Sequence, residues 1–301
     1  YWPCHGNAMQ LLTLRTLLTL LSTIIGTLLL TACSGSSGGG GAPAPDLATL
    51  EVPSDTEVTR TDVDALLGTA PTITSCKPVG LTITPDTEQL VLLDAMLGVY
   101  VLQEDRTFAQ AISNQQLHEQ VSAFEFTDIA AVGSNQFAIT ATGDGFLLDL
   151  NARTLRQHFC YVPGGLINPT QFTQHTDSVA FDTTTGRILA QPITYMLASG
   201  AIVGSQVGTF PITGGEGTDW HTIPETEFLA GAITCDGNGT LWLVRGNDLY
   251  TYDLDTDTLT LEQSLARFSV TNVVGMVFVG DDLMLLDGDT RDIVCVPAAL
   301  L

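Results

Sequence analysis

The chain has 301 residues, of which 10 are Lys or Arg and 33 are Asp or Glu, giving a formal net charge of −23. Ten cations scattered from Arg15 to Arg291, with Lys77 the one lysine, make no phosphate-binding face, so nucleic acid is excluded as a partner. With 45% apolar and 14% charged residues and a mean hydropathy of +0.26, the chain can build a large core and lacks the composition of a disordered protein.

Residues 1–8 precede Met9, fit no export signal and read as an upstream artefact, which leaves Cys4 without a role. Met9 opens a short segment with one cation, Arg15, and from Leu17 to Leu30 the chain is mostly Leu, Ile and Thr without charge. That is the h-region of a signal peptide, and it stops short of the ~20 apolar residues of a spanning helix. It ends at Leu30-Thr31-Ala32-Cys33, which resembles the lipobox of bacterial lipoproteins. The resemblance implies that residues 9–32 are removed and that Cys33 carries diacylglycerol and palmitate. The lipid bilayer of the cell envelope is then a partner through Cys33. In that family Ser34 after the cysteine goes with sorting to the outer membrane rather than the inner.

Residues 33–46 are Gly, Ser and Pro with few others, a flexible tether reaching roughly 20 Å. Residues 47–70 form a lead-in of weak signal, in which Thr61 to Leu67 reads either as one helical turn capped by Thr61 or as extended chain.

Residues 71–301 read as short strands rich in Val, Ile, Leu, Phe and Thr, broken at close intervals by Gly, Asn and Asp. The exception is the polar stretch Asn114 to Ala123, which predicts a short connecting helix. Five segments repeat an apolar strand, a turn, a second apolar strand, a turn and a third strand. Taking Leu90, Phe137, Ile188, Leu241 and Leu283 as second-strand markers, the spacings are 47, 51, 53 and 42 residues. Those intervals suit four-stranded propeller blades. The fold class is therefore all-β, a β-propeller of five blades with six as the alternative, closed by an N-terminal strand. Thr72 to Cys76 is the strand expected to close the last blade. At pattern level these residues resemble the broad quinoprotein-like and WD-repeat-like propeller superfamily, but no Gly-His…Trp-Asp signature narrows the family.

With Cys33 lipidated, Cys76, Cys160, Cys235 and Cys295 remain, an even number suited to an oxidising compartment. The closure scheme puts Cys76 beside Cys295 and predicts that disulfide, with buried free thiols as the alternative. Asp253-Leu-Asp255-Thr-Asp257 resembles the start of a calcium loop but has Thr258 where Gly belongs and Ser264 where Glu belongs, which favours a polar turn. His118, His158, His175 and His221 lack zinc-site spacing, no Gly-x-Ser-x-Gly elbow marks a nucleophile, and Trp220-His221 and Trp242 read as strand packing before sugar platforms.

One recurrence points to a metal. Asp177 and Asn272 each stand 11 residues ahead of a second-strand marker and Asp128 stands 9 ahead, all close to the start of an inner strand. Gathered at one channel mouth, Asp128, Asp177 and Asn272 would offer oxygen ligands to a hard cation such as Ca²⁺; the alternative is that each caps its own turn. Two functions follow. One is a membrane-tethered, non-catalytic binding or assembly module for a protein or glycan partner. The other is a metal-dependent hydrolase resembling the lactonase propellers, and the incomplete acid and amide set favours binding over enzyme.

Overall fold

The computed structural model describes residues 57–67, 76–121, 125–141, 144–160, 172–196, 199, 202–223 and 231–301. The signal segment, the lipobox Cys33, the tether and Thr72 to Ser75 lie outside the described residues. Cys160, His158, His175 and Asp177 are described in backbone only.

Five antiparallel four-stranded blades follow one another along the chain. Blade one is Pro78–Ile83, Leu90–Asp94, Gly98–Leu102 and Phe108–Ser113. Blade two runs Phe126–Ala131, Gln136–Ala141, Asp144–Asp149 and Thr154–Cys160, and blade three Phe172–Asp182, Arg187–Met196, Ile202–Pro211 and Thr218–Thr222. Blade four is Ala232–Cys235, Leu241–Arg245, Asp248–Asp253 and Thr258–Ser264. Blade five supplies Val273–Val279, Asp282–Asp287 and Asp292–Val296 and takes its outer strand from Thr59–Asp62. All five markers, Leu90, Phe137, Ile188, Leu241 and Leu283, lie on second strands, so the repeat read from the sequence is the blade repeat. The predicted connecting helix is Asn114–His118, opened by a capping box between Ser113 and Gln116.

Each blade buries both faces near the axis and exposes its rim. Leu90–Asp94 is buried at every residue, whereas the outer strand Thr258–Ser264 is exposed at most. Five apolar clusters result, one in each gap between neighbouring blades. Between blades one and two, for example, Val91, Leu93 and Val99 meet Phe126, Phe137, Ile139 and Phe146. A fully buried side chain of this size contributes about 1.5–3 kcal/mol, so the gaps hold the ring together.

The closing strand is not Thr72 to Cys76. Thr59–Asp62 pairs antiparallel with Asp292–Val296, placing Thr61 opposite Ile293. Asp62 rather than Thr61 caps the helix Val63–Leu67, its Oδ1 accepting the Asp64 N–H at 2.8 Å. That helix buries Val63, Leu66 and Leu67 in the gap between blades five and one. The reason lies in reach. Cys76 stands two residues before the inner strand at Pro78, a span of at most about 7 Å. An outer strand lies three strand spacings from the inner strand of a blade, about 14 Å. The chain needs the longer connection after Asp62 to return from rim to axis.

The inner strands share a second repeat that the sequence hides. Those of blades one, two, three and five carry an irregularity, between Pro78 and Gly80, Phe126 and Asp128, Thr176 and Ser178, and Val273 and Gly275, near the strand start in all but blade three, where it falls mid-strand. Past it, Gly80, Asp128, Ser178 and Gly275 pair with Leu93, Thr140, Gln191 and Leu286, each three residues beyond its marker. At two of them neighbouring blades come close together. A Cβ on Gly80 would stand 2.7 Å from the Asp128 carboxylate, and one on Gly275 2.7 Å from the Leu81 amide nitrogen.

Candidate functional site

The five inner strands enclose a channel cavity of about 370 Å³. Its walls are apolar because the inner strands present Ile129, Ala131, Val179, Ala180, Ile233 and Met276 to it. It reaches the face formed by the turns between first and second strands, represented by Pro85, Thr183, Asp236, Gly237 and Gly280. Cys235 lines it, and burial pushes its thiol pKa up, leaving the neutral form.

A second cavity, of about 430 Å³, lies between blades four and five on the same face and shares Asp236, Gly237, Phe278 and Gly280 with the channel. Trp242 comes from the second strand of blade four and Phe278 from the inner strand of blade five; their ring centroids are 5.5 Å apart at 60°. Asp236 organises this corner. Its Oδ1 accepts the N–H groups of Asn238 at 2.8 Å and Thr240 at 2.9 Å, and its Oδ2 accepts the Trp242 Nε1–H at 3.2 Å.

Of the expected cation ligands, Asp128 and Asn272 line neither cavity. Asp128 is buried in the ring, where its Oδ1 accepts its own neighbour's N–H, from Ile129, at 2.8 Å and its Oδ2 the Val179 N–H at 2.9 Å. Burial raises its pKa well above the ordinary carboxylate value, against the lowering by those two donors. Asn272 donates from Nδ2 to Asp289 Oδ1 at 3.1 Å within blade five, and the side chain of Asp177 lies outside the described residues. Counting back from the marker misaligns the three, because the turns between first and second strands differ in length. Asp128 is the equivalent of Ser178 and Gly275, not of Asp177 or Asn272. Among the described residues no three His, Cys, Asp or Glu side chains are grouped to hold a metal.

The predicted Cys76–Cys295 disulfide is absent: both are free thiols, as is Cys235. Its premise fell with the closing strand. Cys76 precedes an inner strand and donates from Sγ to Asp94 Oδ2 at 2.9 Å, while Cys295 lies on a third strand opposite Thr59. Burial pushes Cys76 up to about 12, helped by its hydrogen bond to Asp94, and Cys295 up to about 11.

Asp253 caps a turn, its Oδ1 accepting the N–H groups of Asp255 at 2.8 Å and Thr256 at 3.2 Å. Trp220 packs edge-on against Phe210, with centroids 5.6 Å apart. His118 packs on Phe126, and His221 Nδ1 meets Asp257 Oδ1 at 3.0 Å, beside the Tyr252 hydroxyl that donates to the same oxygen.

Two groups escaped the sequence reading. Asp94 and Asp287 end the second strands of blades one and five, are fully buried, and tie the chain entering the inner strand to the following turn. Asp94 accepts from the N–H of Lys77, Met96 and Leu97; Asp287 accepts from the N–H of Thr271, Asp289 and Thr290. The signal was Leu90-Val-Leu-Leu-Asp94 recurring as Leu283-Met-Leu-Leu-Asp287. The second is the Trp242–Phe278 corner, whose members lie on different blades with no spacing to join them.

No family profile and no curated protein matches the chain. Among solved structures it is similar to the extracellular domain of a one-component system from B. thetaiotaomicron at 15% identity and a TM-score of 0.39, over 72% of this chain and 27% of that one. It is similar to a gluconolactonase from Xanthomonas campestris at 12% identity and a TM-score of 0.46, over 74% of this chain and 86% of that one. An auxiliary nutrient binding protein from Bacteroides thetaiotaomicron matches at 13% identity and a TM-score of 0.43, over 77% and 60% of the two chains. The chain thus spans about a quarter of the length of the first and less than two thirds of the last. Five antiparallel four-stranded blades in a closed ring make the described body a five-bladed β-propeller.

Proposed function

We propose that the chain is a lipid-anchored, non-catalytic propeller that binds a protein or glycan partner by admitting a small group of it into the channel mouth. The observation that carries this reading is the pair of connected cavities on the turn face, one apolar and drawn from all five inner strands, the other walled by Trp242 and Phe278. Cavities of several hundred Å³ with apolar walls and few polar groups are the usual form of a binding site. Turns on a rigid scaffold set its specificity.

The uncharged fluorescent probe N-phenyl-1-naphthylamine tests the mouth. It should bind saturably, and Thr183→Trp, placed on an exposed turn residue that lines the channel, should weaken it roughly tenfold without lowering the thermal midpoint. Probe binding that is absent, or indifferent to Thr183→Trp, would exclude the mouth as the binding site.

A further inference from the structure

We infer that the groove between blades four and five holds an organic ammonium group of the partner. This deepens the reading of the turn face as the binding face. The cavity, of about 430 Å³, has ample room for a trimethylammonium or a lysyl side chain. Its two aromatic walls stand at 60° rather than stacked flat, so a group in the corner between them meets both π systems. The negative face of an aromatic ring attracts a cation most strongly in Trp, and more when water is excluded.

The corner is fixed before any ligand arrives. Asp236 is held by the Asn238 and Thr240 N–H groups and in turn holds the Trp242 indole through its Nε1–H. Those bonds engage both carboxylate oxygens of Asp236 and the indole N–H of Trp242. Among the described residues no Lys or Arg lines the groove, whereas Asp281, exposed and without a hydrogen-bond partner among them, does. An anion would meet the carboxylates of Asp236 and Asp281 with no cationic side chain to offset them. A cation is drawn in by Asp281 and by a body of net charge −23.

Choline and its uncharged isostere 3,3-dimethylbutan-1-ol separate charge from shape. Each is titrated at constant ionic strength, followed by tryptophan fluorescence and calorimetry, with acetyl-lysinamide as a second cation. At least one cation should saturate, about tenfold tighter than the uncharged isostere. Trp242→Leu and Asp281→Asn should each weaken it by roughly three- to tenfold. Asp281→Asn sits on an exposed turn and keeps the fold, so its result stands even if Trp242→Leu unfolds. Whichever cation binds tighter identifies a quaternary or a lysyl source. Cations and isostere binding alike, or affinities indifferent to Asp281→Asn, would overturn the inference. Thr183→Trp should leave cation binding intact while blocking the naphthylamine, so loss of the channel site and loss of the ammonium site are told apart.

Discussion

Asp128 is an acid placed where the fold leaves it no water. Its folded pKa is raised by burial, so between the ordinary value of 3.8 and that raised value the native state holds a proton that the unfolded chain has released. Stability contributed by this group is therefore present at acid pH and falls as pH rises through the window. Asp128→Asn should flatten that slope. It should also cost about 1–3 kcal/mol at acid pH, because the amide offers one acceptor oxygen to the two N–H donors of Ile129 and Val179. Urea unfolding across the window measures both effects, and an unchanged slope in the variant would contradict this account. From the sequence Asp128 looked like a ligand at a mouth; only the pairing register shows it at the contact between blades.

The closing strand matters beyond its four residues. Thr59–Asp62 supplies the outer edge of blade five and leads straight into the helix that seals the gap to blade one. Four paired residues at about 1 kcal/mol each predict that deleting residues 57–62 lowers the thermal midpoint by about 8–16 °C. Deleting residues 34–45 should leave it unchanged. Calorimetry of both deletions checks this, and equal midpoints would rule out closure by Thr59–Asp62. By sequence Thr72 to Cys76 stood out as the spare strand just before the first unit. Thr59 to Asp62 is polar, and only its place against Asp292–Val296 makes it a strand. Edge strands need few apolar residues, and that made this one hard to read. Blade two shows another edge device: Gly215–Glu216 leaves blade three to run parallel along its outer strand.

At the scale of the whole molecule, charge opposes compaction. Many carboxylates accept hydrogen bonds within turns, as Asp105, Asp182, Asp236 and Asp253 do, and with 10 Lys or Arg against 33 Asp or Glu most carry charge that no cation balances. Ion pairs such as Arg60–Asp292 at 3.0 Å and Arg291–Asp64 at 2.8 Å are partly exposed and contribute little. Sodium chloride should therefore raise the thermal midpoint by screening self-repulsion, most steeply below about 0.1 M. A midpoint insensitive to salt would contradict self-repulsion as a term that limits stability. The anchor is tested on the same scale: Cys33→Ser should move the protein from the membrane to the soluble fraction, and retention in a detergent-phase partition would refute lipidation.

The sequence by itself determined the repeat. Apolar strands at blade-length intervals, with Leu90, Phe137, Ile188, Leu241 and Leu283 in equivalent places, follow from local periodicity and turn residues, which neighbours along the chain are enough to impose. The net charge, the single lysine and a short connecting helix from Asn114 were equally plain. Tertiary structure alone decided the closing strand, the register at the channel and the Trp242–Phe278 corner, because each depends on which distant strands meet. Turns of unequal length let Asp128 slide away from Asp177 and Asn272 while the second strands stay aligned. A count along the chain cannot see that shift; the backbone pairing between strands fixes it.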